Sequence, residues 1–228
     1  MSHLLQDNFL WKMERIGKVT GSRVADIVAR TKSGYSASRA TYLGQLVAER
    51  LTGVSGESTY TSPAMDWGIQ QEAKARAAYA FYRDVDVALC GFVQHPSIEM
   101  AGASPDGLVG DDGLVELKCP NTATHIETLI GESIPSKYQV QMLWQMACTG
   151  RRWCDFVSFD PRLPDGVGIV VLRFERDEQR IKELEEEVRS FIFEVEATIR
   201  RLTRSGAAVA ALPPTSLQAG LQASAGAA

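Results

Sequence analysis

"SPDGLVGDDGLVELKCP", residues 104–120, sets Asp106, Glu116 and Lys118 into a stretch otherwise made of turn formers and aliphatic side chains. Gly110, Asp111, Asp112 and Gly113 supply a turn, and the runs on either side read as strands, so the stretch predicts a β-hairpin. Residues two apart in a strand point the same way. Glu116 and Lys118 therefore share one face, and Val115, Leu117 and Cys119 take the other. A two-residue turn at Asp111-Asp112 would pair Asp106 with Leu117 and send the acid to the opposite face. A three-residue loop, Asp111 to Gly113 with Gly113 left-handed, pairs Leu108 with Glu116 and Asp106 with Lys118. That register, or a bulge restoring the same parity, is expected.

Two carboxylates facing each other in a partly buried place repel, and each raises the other's pKa. A hard divalent cation removes the conflict. Oxygen ligands of this kind suit magnesium, with manganese as an alternative, and such ions accept substrate phosphates as further ligands. The cation activates water and neutralises charge on a phosphoryl oxygen, and Lys118 is placed to orient or help deprotonate that water. The pattern fits metal-assisted phosphodiester hydrolysis. A plain ion pair between Lys118 and either acid on an edge hairpin would use the same residues. A calcium loop starting at Asp106 fails, because Leu108 stands where an oxygen ligand is needed.

Upstream, "SPAMDWGIQQEAKARAAYAFYRD" (62–84) opens with Ser62 as a cap and Pro63 in the first helical position. Met65, Ile69, Glu72, Ala73 and Arg76 recur at helical spacing, which puts Glu72 on or beside the inward stripe as a third acid. A local Glu72–Arg76 pair one turn apart is the competing explanation. Residues 36–52 form another core-facing helix, with Tyr42, Leu43, Leu46, Val47 and Leu51 on its stripe and Gly53 beyond its end. Residues 84–93 read as a strand. Pro135 starts and Gly150 ends a helix over "SIPSKYQVQMLWQMACTG" (133–150), and "WCDFVSFD" (153–160) and "VGIVVLRF" (167–174) are strands split by a turn. A last helix carries Ile181, Leu184, Val188, Phe191, Ile192, Val195, Ile199 and Leu202 at helical period. The order predicts a mixed sheet flanked by helices, of α/β (α+β) class.

The chain has 228 residues and 45% hydrophobic content, enough for one sizeable core. One domain over 1–204 is expected, followed by a flexible tail over 205–228, which carries no charge and little large apolar surface. No signal-like or membrane-spanning run is present in the sequence, which predicts a soluble, cytoplasmic protein without membrane contact. Cys90, Cys119, Cys148 and Cys154 form no CxxC pair and read as reduced core thiols. The net charge is −4, yet residues 1–50 carry eight Lys/Arg against four Asp/Glu, while residues 51–174 carry nine against fifteen. The acidic middle suits a divalent-cation site, and the basic amino-terminal segment can meet phosphates. A solvated mixed surface explains that basic balance equally well.

"SPDGL" followed by "VELKCP", then "YQVQ" entering a helix, "DPR" and "RDE", resembles the phage lambda exonuclease and YqaJ-type viral recombinase family. "WKMERIGKVTGS" (11–22) and "WGIQQE" (67–72) occur upstream in the same order, so the resemblance spans about residues 11–178. It implies a PD-(D/E)XK restriction-endonuclease-like core and a 5′-to-3′ exonuclease acting on one strand of duplex DNA. Asp106, Glu116 and the Leu117 carbonyl would match the metal ligands, Lys118 the catalytic lysine, and Glu72 the helix-borne acid that assists the metals. Arg15, Ser22, Ser104 and Gln139 would match residues that hold the terminal 5′-phosphate; family members often carry Ala where Gly21 stands. The resemblance further implies a homotrimeric ring around duplex DNA, no nucleotide cofactor, and a single-strand annealing protein as partner. Rival readings are a structure-specific or restriction-like endonuclease on the same core, and a non-catalytic DNA-binding module.

Overall fold

The acid-bearing hairpin lies in the middle of a five-stranded sheet. The computed structural model describes residues 9–56 and 62–210. The chain opens with α1 (Phe9–Arg15), β1 (Val19–Thr20), a 3-10 turn (Gly21–Arg23), α2 (Val24–Val28) and the short pair β2 (Arg30–Thr31) and β3 (Gly34–Tyr35). Two long helices follow, α3 (Ala37–Thr52) and α4 (Pro63–Arg83). Then come β4 (Val87–Ala88), β5 (Val93–Gln94), β6 (Ala101–Ala103), β7 (Gly107–Val109) and β8 (Gly113–Lys118). The remainder is α5 (Thr122–Gly131), α6 (Ser136–Thr149), β9 (Trp153–Phe159), β10 (Ile169–Glu175) and α7 (Glu178–Ala210).

The large sheet has the order β10-β9-β8-β7-β4. β8 runs parallel to β9 and antiparallel to β7, so the sheet is mixed, as the element order predicts. A smaller sheet, β1-β6-β5, pairs β1 parallel to β6. Residues 84–93 are therefore not one strand: β4 joins the large sheet and β5 the small one.

Helix ends follow local chemistry. Ser36 caps α3 by accepting from the Ser38 amide, and Gly53 and Gly150 close α3 and α6 in the left-handed conformation that glycine adopts without strain. Tyr42, Leu46 and Val47 of α3 are buried, whereas Leu51 is exposed. On α4 the inward side chains are Gln71, Ala75 and Tyr79, not the stripe expected; Ile69 is 57% exposed and Ala73 faces solvent. Glu72 lies beside that stripe. Tyr79 donates its hydroxyl to the fully buried Asp155 of β9 at 2.8 Å and so pins α4 to the sheet.

α6 and α7 cover one face of the sheet. Trp144, Phe156, Val188 and Phe191 are buried in that core, each contributing about 2–3 kcal/mol by removal of apolar surface from water. The other face, toward α4, buries Val115, Leu117, Val157 and Ala75. α7 continues to Ala210, six residues into the segment read as tail; residues 211–228 lie outside the described residues. All four cysteines are free, as expected of reduced thiols. Among the described residues no helix is long and apolar enough to cross a membrane.

Candidate active site

The hairpin keeps the expected parity but not the expected register. Gly107 pairs with Val115, Leu108 with Leu114 and Val109 with Gly113, so the three-residue loop is Gly110 to Asp112, one position earlier than predicted. Gly110, at φ +51°, takes the left-handed position that Gly113 was expected to fill. The reason lies at Gly113: a Cβ there would stand 2.1 Å from the Trp153 ring, so this glycine serves a close approach between β8 and β9, not the turn. The shift of two residues sets Asp106 opposite Glu116 instead of Lys118.

Beyond Gly107 the β7–β8 ladder ends, and the Asp106 side chain takes over as acceptor. The Leu117 amide donates to Asp106 Oδ2 at 2.7 Å. Glu116 and Lys118 point to the α6 face while Val115 and Leu117 pack toward α4, as the two-residue period requires. Glu116 is fully buried, and both of its oxygens are engaged: Gln141 donates to Oε1 at 2.7 Å and Gln145 to Oε2 at 2.6 Å, both from α6. Lys118 forms an ion pair with Glu116 Oε1, and its ammonium lies 5.2 Å from the Tyr138 ring centre.

Asp106 and Lys118 open onto a cleft of about 430 Å³ whose walls also include Gly68, Ile69 and Glu72 from α4 and Tyr138 from α6, while Glu116 stays buried beside Lys118. Glu72 thus reaches the same cleft as Asp106, and it also makes the i,i+4 pair with Arg76. Burial, then the neighbouring Glu116 charge, with Glu72 adding to both, pushes the Asp106 carboxyl up to about 8. Burial disfavours the Lys118 ammonium, but Glu116 and Asp106 outweigh it and hold the proton more firmly than usual. Burial and the Glu72 charge push the Cys119 thiol at the cleft wall to about 11, so it stays a neutral thiol near pH 7.

Among the described residues no three His, Cys, Asp or Glu side chains close on one point. The donor set nevertheless fits a hard cation. Asp106 and Glu116 offer carboxylate oxygens with no imidazole or thiolate beside them, and magnesium commonly takes one or two protein carboxylates and fills its shell with water and phosphate oxygens. Burial and a neighbouring carboxylate make the charged form of Asp106 costly, and a bound cation would offset that cost.

The four residues assigned to the 5′-phosphate divide. The Arg15 guanidinium lies 3.9 Å over the Trp11 ring, and Trp11 donates its indole N–H to Ser104 Oγ at 2.9 Å. Arg15 and Ser104 therefore meet across one buried tryptophan, directly ahead of Pro105-Asp106. Ser22 is exposed on the 3-10 turn that follows β1, next to Gly21, whose Cβ position is 3.3 Å from Ala103 at the end of β6. Gln139, on α6, donates its amide to the Ile134 carbonyl at 2.8 Å. Gln141 and Gln145 were missed by sequence reasoning. Their four-residue spacing, which puts both on one face of α6, was the available signal.

A mixed sheet with an Asp, a Glu-x-Lys strand and a helix-borne Glu at one cleft defines the nuclease class of the PD-(D/E)XK type. The YqaJ-like viral recombinase domain matches residues 10–152, and the chain belongs to that family. It is similar, at 48% identity and a TM-score of 0.82, to the crystal structure of an alkaline exonuclease (LHK-Exo) from Laribacter hongkongensis, over 89% of this chain and 100% of that one. The complex of LHK-Exo with dAMP matches over the same shares at 48% identity with a TM-score of 0.83. A phage-related exonuclease from Haemophilus somnus 129PT shares the fold at 15% identity and a TM-score of 0.66, over 81% of this chain and 96% of that one. No curated protein matches the chain.

Proposed function

We propose that this chain is a magnesium-dependent exonuclease that degrades one strand of duplex DNA from its 5′ end and leaves a 3′ single strand for phage-type recombination. The exonuclease class follows from the family and from 48% identity to an alkaline exonuclease across nearly the whole chain. The observation that supports the chemistry is the meeting of Asp106 and Lys118 at the cleft that Glu72 also lines, with the buried Glu116 paired to Lys118.

Asp106, Glu116 and the Leu117 carbonyl would hold magnesium, or manganese in its place, with Glu72 assisting. When bound, the ion supplies Lewis-acid activation of water and neutralises charge on the scissile phosphate. Gln141 and Gln145 fix the Glu116 carboxylate in a single orientation. Lys118 enters as an ammonium that orients the attacking water and offsets charge developing on phosphoryl oxygen. Neutralising Asp106 and Glu116 removes the two charges that hold its proton, which brings Lys118 closer to acting as a base. Arg15, Ser22, Ser104 and Gln139 are assigned to the terminal 5′-phosphate, with Trp11 tying Arg15 to Ser104.

A homotrimeric ring around the duplex would reconcile DNA binding with a net charge of −4, because a threaded substrate needs little positive charge to stay bound. The partner in recombination would be a single-strand annealing protein. α7 belongs to the nuclease domain, and residues past it are assigned to the tail.

The test is nucleotide release from linear duplex with and without Mg²⁺, on 5′-phosphate and 5′-hydroxyl ends, beside covalently closed circular duplex. Mg²⁺-dependent release favouring the phosphorylated end, with the circle left whole, is expected. Nicking of the circle would instead establish an endonuclease.

A further inference from the structure

We infer that Arg76 is a positioning residue of the cleft: one guanidinium fixes the Glu72 carboxylate of α4 against the Asp106 end of the hairpin. The inference rests on the nuclease reading above. Arg76 donates from Nη2 to Glu72 Oε1 and from Nε to the main-chain carbonyl of Asp106 at 3.2 Å. The first bond spans a single helical turn. The second crosses thirty residues of chain and joins two separate elements.

α4 is packed less deeply at this end, where the Trp67 ring meets the Arg162 guanidinium at 4.5 Å. Gln71, Ala75 and Tyr79 anchor its later turns, but among the described side chains of residues 63–70 none is buried. Ala64, Gly68 and Ile69, which line the cleft there, offer small or exposed surfaces. Without a brace near Glu72, repulsion among three carboxylates would favour drawing α4 away from the hairpin. Arg76 itself is not part of the cleft wall, and its side chain is only 20% exposed, so it acts through Glu72 and Asp106 and not on substrate.

The bridge needs a guanidinium. Its Nε and Nη2 lie in one rigid plane and reach two acceptors at once, whereas a lysine places a single nitrogen on a flexible stem. Arg76→Lys therefore keeps the charge and loses the link between α4 and the hairpin.

The experiment compares the parent with Arg76→Lys and Arg76→Gln by thermal unfolding in EDTA and across a Mg²⁺ titration without DNA, beside nucleotide release from a 5′-phosphorylated duplex. In EDTA Arg76→Lys should unfold close to the parent and bind duplex ends equally well. The Mg²⁺ concentration that gives half-maximal stabilisation should rise roughly tenfold or more, the scale on which residues supporting a ligand act. Should Arg76→Gln be unfolded in EDTA, Arg76→Lys decides. A parent that releases nucleotides beside an Arg76→Lys variant with unchanged half-saturation overturns the positioning role alone. A parent that neither responds to Mg²⁺ nor releases nucleotides overturns both this role and the nuclease reading.

Discussion

The Leu117 amide donates to Asp106 Oδ2 at 2.7 Å, so an acid just ahead of β7 is tied by its side chain to the strand that carries Glu116 and Lys118. The bond replaces the next rung of the ladder and turns a frayed hairpin end into a fixed site. An asparagine oxygen can accept the same bond and carries no charge, whereas the buried aspartate must either take up a proton or stand against Glu116. Asp106→Asn should abolish Mg²⁺-dependent nucleotide release while raising metal-free stability by about 1 kcal/mol, the usual scale when a strained functional group is relieved. Urea unfolding in EDTA checks the second half; a less stable variant would contradict the repulsion assigned to this pair.

Lys118 contacts Glu116 and lies near the Tyr138 ring, but no core packing depends on it. Lys118→Ala should lower single-turnover cleavage by about 10³-fold, the loss typical of a group that stabilises developing charge, and leave duplex binding in Ca²⁺ or EDTA intact. Normal turnover in this variant would remove the role assigned to it.

Arg15 is held over Trp11, which also bonds Ser104. Arg15→Ala should therefore erase the preference for phosphorylated over hydroxyl 5′ ends. The readout is the ratio of initial rates on the two ends, which should fall to about 1 when a charge-assisted phosphate contact is lost. An unchanged ratio would move the phosphate site elsewhere.

Asp160 is fully buried and clasped by Arg162, whose Nε donates to Oδ1 at 2.7 Å and Nη2 to Oδ2 at 2.9 Å, with Thr122 donating to Oδ2 at 2.7 Å. The Arg162 bonds hold its carboxyl well below the usual carboxylate range, against the opposing pull of burial. A folded-state value below the unfolded one means that the stabilisation is complete above about pH 4 and fades as pH falls toward the folded value. Asp160→Asn should cost about 1–2 kcal/mol at pH 7, and the difference from the parent should shrink in unfolding experiments at pH 3 and below.

The sequence made some elements legible and concealed others for identifiable reasons. α3, α6 and α7 announce themselves through caps, closing glycines and apolar side chains at helical period. β9 and β10 stand out as long aliphatic runs. The faces of β8 follow from the two-residue period alone, whereas the hairpin register depended on which glycine closes the turn, and that was decided by the Trp153 ring pressing on Gly113. The stripe of α4 was misplaced because an alanine-rich helix offers several faces of similar polarity, and Tyr79 chose among them by finding Asp155. β1, β5 and β6 are two or three residues long, too short for any period to show. At the site, the acids and the lysine were visible as charges in an apolar stretch, but the partners of Glu116 come from α6, 25 and 29 residues away, and no local pattern ties them to it.

β8 has a neighbour on each side and a packed layer over both faces. A strand so enclosed should open only with the whole domain, and its amides should be among the slowest to exchange with solvent. Glu116 and Lys118 inherit that rigidity. Heat should thus leave the Glu116–Lys118 pair in place until the domain itself melts.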